Sequence, residues 1–190
     1  VYIVAGEGEK AVFLENLPGI SEGERERLGA LEGTGIPRSS NVALFGNDLL
    51  RRRDAGVRHT IGNMLALTLG ITEKTAWAWE GIGQYLTREL VGTRLTWFVS
   101  ENADPAAVNL RGKLMTPESN WIQEAFTLLS TGTATPLDEL MLRNLDGLDV
   151  SGALTGYALV AYLLEGQPKV ALDFVLRCAK AQEPPATITK

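Results

Sequence analysis

The chain has 190 residues, of which 45% are hydrophobic and 22% charged, the composition of a folded domain with a sizeable core. Its net charge of −5 argues against a general electrostatic grip on nucleic acid, and no apolar run is long enough to predict a membrane span. With one cysteine and one histidine, an intrachain disulfide, a multi-cysteine zinc site and any metal site built on two histidines are excluded.

The N-terminal part, residues 1–47, carries strand-like sequence. Val1–Ala5 is a β-branched and aromatic run that predicts a strand, and the apolar run at 41–45 predicts a second one. In chain order, we predict a strand at 1–5, helices at 7–17 and 24–31, a glycine-containing loop at 33–37 and a strand at 41–45. Because the sequence opens in a strand and without methionine, we expect the chain to be a fragment of a longer protein.

The remainder, residues 48–182, predicts a mostly helical part of the same domain, followed by a frayed tail at 183–190. Asp48 can cap a long helix that ends at Gly70, and Thr72 can cap the helix after it. The predicted helices cover 48–69, 76–90, 118–130, 136–145, 151–164 and 167–181, with a polar loop at 100–117. The sequence therefore predicts an α+β fold, with a small N-terminal sheet and a mostly helical C-terminal part.

A glycine-rich turn follows the first predicted strand. Gly6, Gly8 and Ala11 have the spacing of a dinucleotide-binding turn, in which backbone amides approach a pyrophosphate. Glu7 and Glu9 would place negative charge beside those phosphates, and no second strand–helix–strand unit is predicted after them. A strand that simply runs into a turn is therefore the favoured interpretation, and a nucleotide site is the alternative.

Three segments resemble a known family. Residues 57–65 (VRHTIGNML) stand where a zincin carries its H-E-x-x-H helix, and residues 76–86 (AWAWEGIGQYL) contain a Trp-Glu-Gly segment. Residues 157–166, which begin with Tyr157, are similar to the family's C-terminal helix. Over residues 41–180 the sequence resembles the gluzincin metallopeptidases, especially the bacterial peptidase-MA-like group. The resemblance implies a zincin-like fold.

The resemblance also implies a zinc site, from which this chain departs. In the family motif, two histidines four residues apart share a helix face and bind Zn²⁺, and a glutamate from a second helix is the third ligand. The motif's own glutamate takes a proton from the bound water. His59 matches the first ligand and Glu80 the third, whereas Asn63 replaces the second histidine and Thr60 replaces the base. We therefore expect no catalysis and no bound metal at these vestigial positions.

Three further residues have their own interpretations. Tyr157 matches a tyrosine that would stabilise the transition state in the family, and it would be idle here. Glu80, if buried without a metal, needs a cationic partner, for which Arg58 is a candidate. Cys178 lies in an amphipathic segment and is expected to be a packing residue. We expect no serine or cysteine hydrolase.

The preferred hypothesis is a catalytically inactive, peptidase-like domain. We expect a cleft between an edge strand near 41–45 and a floor formed by His59 and Glu80, which binds an extended peptide by strand addition or serves as a scaffold. The alternatives are an active zinc peptidase with ligands from outside the motif, and a plain interaction module of a larger exported protein. Because many peptidase-MA-like proteins are surface or periplasmic proteins of bacteria, the resemblance implies an extracytoplasmic location.

Overall fold

The computed structural model describes residues 2–4, 6–29, 33–35, 42–45, 48–96 and 105–181, and helices make up most of them. The strands are β1 (Tyr2–Val4), β2 (Gly33–Gly35) and β3 (Val42–Phe45). The helices are α1 (Glu7–Glu15), α2 (Glu22–Gly29), α3 (Leu49–Met64), α4 (Ala76–Val91), α5 (Pro105–Leu114), α6 (Trp121–Thr131), α7 (Leu137–Leu140), α8 (Val150–Ala161) and α9 (Pro168–Ala181). Wide π-helical turns extend α3 over Leu65–Leu69 and α8 over Tyr162–Gly166.

The three strands form one small sheet in the order β1–β3–β2. β3 pairs in parallel with β1 and antiparallel with β2. The prediction of a loop at 33–37 is wrong over β2, whose glycines pair with Leu44 and Val42. The expectation of an edge strand near 41–45 is also wrong, because β3 has a neighbour on each side. The α+β prediction describes the chain only loosely, since this sheet is small and helices dominate.

The long helix that was predicted from Asp48 is present. The Asp48 carboxylate accepts hydrogen bonds from the backbone amides of Leu50 at 2.9 Å and Arg51 at 3.1 Å, which caps α3. The chain leaves the π-helical turn after α3 at Gly70, where φ is +67°, a value that favours glycine. The predicted helices at 76–90, 151–164 and 167–181 correspond to α4, α8 and α9.

Two predictions in the helical part are wrong. The predicted loop at 100–117 contains α5, which begins at Pro105 and packs Leu114 into the core. The predicted helix at 136–145 contains only the four-residue α7, after which Arg143 donates to the carboxylates of Glu139 and Asp149. Those bonds fix the chain in an irregular path before α8. The predicted tail at 183–190 lies outside the described residues.

The main hydrophobic core is centred on the contact between α4 and α8. Trp77 on α4, Trp121 on α6 and Leu154 on α8 are fully buried in it. The α4 and α8 backbones approach closely at two glycines, because a Cβ atom on Gly81 would lie 2.8 Å from the carbonyl oxygen of Gly156. Any side chain at either glycine would push the two helices apart.

A second, smaller core lies beside the sheet. It contains Val4, Leu14, Leu28 and Phe45, and the Phe45 ring is in edge contact with Phe13 at a centroid distance of 6.0 Å. Leu44, on the other face of β3, contacts Ala55 of α3 and so joins the sheet to the helical part. In the part of the chain that the structure describes, no helix has the length and apolarity needed to cross a membrane.

We predict that Gly81→Ala lowers the free energy of unfolding by about 2 kcal/mol or more, because the added methyl group collides with the α8 backbone. The control is Gly112→Ala in α5, where an added Cβ has no neighbour within 4 Å. That change should stabilise the protein by about 0.5–1 kcal/mol through helix propensity. Urea denaturation measures both, and equal effects would contradict the close approach of α4 and α8.

Candidate functional site

The candidate site lies between α3 and α4, and an ion pair forms its centre. Arg58 on α3 and Glu80 on α4 are both 0% exposed. Nη2 of Arg58 donates to Oε2 of Glu80 at 2.5 Å and to the carbonyl oxygen of Trp79 at 3.0 Å. The guanidinium carbon also lies 4.0 Å from the centroid of the Trp79 ring, in cation–π contact. Arg58 is thus the cationic partner that a buried Glu80 requires.

The second oxygen of the Glu80 carboxylate is bound as well. Nε2 of Gln84, one turn later on α4, donates to Oε1 of Glu80 at 2.8 Å. The same nitrogen donates to the carbonyl oxygen of Thr96 at 2.9 Å. Both side chains are fully buried. Each carboxylate oxygen therefore has a fixed donor, and the donors come from both helices.

Two glycines make room for the Arg58 guanidinium. A Cβ atom on Gly62 would lie 2.9 Å from Nη1 of Arg58 and 2.8 Å from Cζ2 of Trp79. A Cβ atom on Gly83 would overlap the guanidinium group itself. The indole Nε1 of Trp79 donates to the carbonyl oxygen of Gly62 at 3.2 Å and holds the ring in this packing. The interface between α3 and α4 is therefore shaped around an arginine.

A second buried carboxylate positions the chain after α4. Asp54 on α3 is 0% exposed, and its Oδ2 accepts from the Thr93 hydroxyl at 2.6 Å and from the Leu95 amide at 2.7 Å. Its Oδ1 is paired with Arg53 at 2.8 Å. These bonds fix the segment whose next residue, Thr96, accepts the hydrogen bond from Gln84. No role was predicted for Asp54, although an acidic residue inside a predicted helix and directly before Ala55 is a possible buried anchor.

The three motif residues of α3, His59, Thr60 and Asn63, have surroundings that differ from those of Arg58. His59 is half-buried, and burial, with a smaller effect from the Arg58 guanidinium, lowers its pKa below the ordinary value of 6.5. Thr60 is exposed, and its hydroxyl donates to the carbonyl oxygen of Gly56 at 2.8 Å. Asn63 lines a pocket of about 420 Å³ together with Gly62 and Trp79. The α3 residues packed against Trp79 and Glu80 are thus Arg58 and Gly62, one position before His59 and Asn63.

The donor set does not fit the zinc ion that the family resemblance implies. Both oxygens of Glu80 are hydrogen-bonded, and a guanidinium 2.5 Å away would repel a divalent cation. Zinc sites use three or four protein ligands. Over the described ranges, no group of three histidine, cysteine, aspartate or glutamate side chains is placed to hold a metal ion. We derive no chemical step through zinc.

Tyr157 belongs to a neighbouring aromatic cluster. Its ring lies 5.1 Å from that of Trp121 and 6.3 Å from that of Tyr85, and burial raises the pKa of its hydroxyl. The buried guanidinium of Arg94 lies 4.6 Å from the Trp121 ring and 4.8 Å from the Tyr157 ring, and burial lowers its pKa to about 10. Arg94 was not recognised in the sequence, because a single arginine that belongs to no motif carries no signal of its burial.

The other sequence candidates have structural explanations. The Gly6 amide at the start of α1 donates to Oε2 of Glu9 at 3.4 Å, so a carboxylate stands where a phosphate would bind. Cys178 is half-buried against the main core, and burial raises the pKa of its thiol, which disfavours a nucleophile. Residues 19–23 (GISEG) were not among those candidates, although they have the spacing of a nucleophile elbow. Ser21, however, follows a turn rather than a strand, and the elbow requires a strand before it.

No protein-family model matches this chain, and no match was found among curated proteins or solved structures.

We predict that Glu80→Gln lowers the free energy of unfolding by about 3–5 kcal/mol, because it leaves the Arg58 charge buried without a counter-ion. The double variant Arg58→Met/Glu80→Gln should recover most of that loss, since it removes both charges. The control is Arg177→Met, which breaks an exposed pair with Asp173 and should change stability by less than about 0.5 kcal/mol. If urea denaturation shows that Glu80→Gln changes the free energy of unfolding as little as Arg177→Met does, the result would contradict a buried Arg58–Glu80 pair.

We predict that the protein loses stability as the pH falls through 6.5, the ordinary pKa of histidine, because His59 has a lower pKa when folded. The unfolded chain then binds more protons than the native state, and the loss is complete below the lowered pKa. His59→Gln removes the only histidine. Its free energy of unfolding should fall less than that of the wild type between about pH 8 and about pH 5. An identical pH dependence in both proteins would contradict the prediction.

Proposed function

We propose that this chain is a catalytically inactive relative of the gluzincin metallopeptidases, with a zincin-like fold, that acts as a binding or scaffold domain. The single observation that carries the proposal is the Arg58–Glu80 pair. Glu80 stands in a Trp-Glu-Gly segment like that of the family's third zinc ligand, and here an internal guanidinium neutralises it. In such a site the cation is part of the protein and cannot activate water.

The geometry supports a register one residue earlier than the match that starts from His59. Arg58 and Gly62 are four residues apart, and both are packed against Trp79 and Glu80. This is the placement that two imidazoles need in order to reach one ion together with a glutamate from the next helix. In this register Arg58 and Gly62 replace both histidines, and His59 stands at the position of the base. The register that starts from His59 retains one of the two histidine ligands, and the earlier register retains neither.

Strand addition at 41–45 is not part of the proposal. β3 already pairs with β1 and β2, so it has no free edge for an extended peptide. The edges of the described sheet are instead β1 and β2, each three residues long. The active zinc peptidase, which needs ligands from outside the motif, has no described cluster of donors in its favour.

A zinc-retention and proteolysis experiment tests this proposal. Purified, tag-free protein is dialysed after addition of zinc, its metal content is measured, and labelled casein is supplied with zinc or with a chelator. We predict that far less than one zinc per chain is retained, and that casein is not cleaved in either condition. Retention of one zinc per chain, with chelator-sensitive cleavage that His59→Gln abolishes, would contradict the proposal. Loss of cleavage in the His59→Gln variant would show that the activity belongs to this chain and not to a contaminating peptidase.

A further inference from the structure

An apolar stripe on α6 faces solvent instead of the core. Ile122, Phe126 and Leu129 are spaced four and three residues apart on one side of this helix, and they are 48%, 63% and 62% exposed. Trp121 and Ala125, on the adjoining side of α6, pack into the main core. The apolar face of α6 is therefore wider than the part that the core covers. A soluble domain gains nothing from the outer stripe unless something covers it.

The stripe leads into a groove between α6 and α8. The groove has a volume of about 510 Å³, and its lining is mostly apolar, with Leu129, Leu137, Leu159 and Tyr162 among the contributing side chains. Tyr162 is 61% exposed and Leu137 49%, so the apolar surface continues past the groove on both sides. We call the stripe and these lining residues the α6–α8 surface. The helix that carries the stripe, α6, has 11 residues and is about 16 Å long, or three helical turns.

The sequence around this surface is strongly acidic. Between Lys113 and Lys169 there are seven acidic residues, and the only basic one is Arg143. Arg143 is already bonded to Glu139 and Asp149, so it offers little positive charge to a partner. Asp138 directly follows Leu137 of the groove, and Glu165 lies one turn after Tyr162. Residues 114–168, which contain this surface, thus have seven acidic residues and one basic residue, a net charge of −6, in a chain whose total charge is −5.

We propose that the α6–α8 surface binds a basic amphipathic helix of a partner protein. A groove between two helices fits a third helix, whose apolar side chains at three- and four-residue spacing would contact the α6 stripe. Lysine or arginine side chains on the flanks of that helix would face the acidic surroundings. A second copy of this chain would instead bring acidic surface against acidic surface. This proposal does not rest on the peptidase relationship.

The probe is a synthetic peptide of about 14 residues, with leucines at three- and four-residue spacing and lysines elsewhere. Fluorescence anisotropy of the labelled peptide measures binding to the whole chain. We expect saturable binding that weakens when the salt concentration is raised from about 0.05 M to about 0.5 M. A peptide with glutamate in place of lysine, and one with serine in place of leucine, should each bind at least about tenfold more weakly.

Two variants locate the binding on the protein. Phe126→Ser should weaken binding of the lysine peptide by about tenfold or more, and Asp138→Asn should reduce its salt dependence. Leu67→Ser is the matched control, because Leu67 is an 82% exposed leucine outside this surface, and it should leave binding unchanged. Phe126 is exposed, so circular dichroism should show an intact fold.

Three outcomes would overturn the proposal. One is equal binding of the lysine and glutamate peptides, and another is equal loss of binding in Phe126→Ser and Leu67→Ser. The third is a dimer in sedimentation that Phe126→Ser dissociates, which would show that a second copy covers the surface. None of these outcomes bears on zinc retention or casein cleavage, so failure here is distinguishable from failure of the proposed function.

Discussion

A guanidinium and a carboxylate buried together between α3 and α4 constrain much of this structure. Removing two charges from water is costly, and the cost is offset only where geometry and further hydrogen bonds satisfy both groups. Here Gln84 donates to the carboxylate, the carbonyl oxygen of Trp79 accepts a second bond from Nη2 of Arg58, and the Trp79 ring covers one face of the guanidinium. Glycines at 62 and 83 are required by the same arrangement, because side chains there would occupy the space of the arginine.

The pair also organises the chain beyond the two helices. Gln84 joins Glu80 to Thr96, and Asp54 holds the residues just before Thr96 from the α3 side. Arg94, between Thr93 and Leu95, lies against Trp121 and Tyr157 of the main core. Polar bonds around Glu80 and the aromatic cluster are therefore connected through one short segment. In an active gluzincin a metal would fill the central role that Arg58 has here under the proposed relationship.

Local signals in the sequence predicted much of the fold. Asp48 caps the start of α3, and Gly70 ends the π-helical turn that follows it, as expected for an aspartate at a helix N-terminus and a glycine with positive φ. β2 was missed because a Gly-Thr-Gly strand has no apolar pattern, and its pairing with β3 is a tertiary effect. α5 was missed although Pro105 at its first position is a known helix-start signal, since the surrounding polar residues outweighed it.

The candidate site was predictable in composition but not in register. Arg58 and Glu80 could be paired from the sequence, because a buried carboxylate requires a cation. Neighbouring helix positions differ by about 100° around the axis, and only the packing against α4 shows that Arg58 and Gly62, rather than His59 and Asn63, lie against it. Gly62 and Gly83 carried a usable signal, since glycine inside a helix costs about 1 kcal/mol and so indicates a close approach. Exposure of the α6 stripe was not predictable, because its apolar spacing is also that of a core helix.

The most direct test of the central claim is anomalous diffraction at the zinc absorption edge, from crystals of the protein grown with zinc. If Arg58 takes the place of the cation, the map should show its guanidinium against Glu80 and no anomalous peak within about 2.2 Å of the Glu80 oxygens. An anomalous peak at that distance from Glu80, with the Arg58 side chain displaced, would contradict the claim.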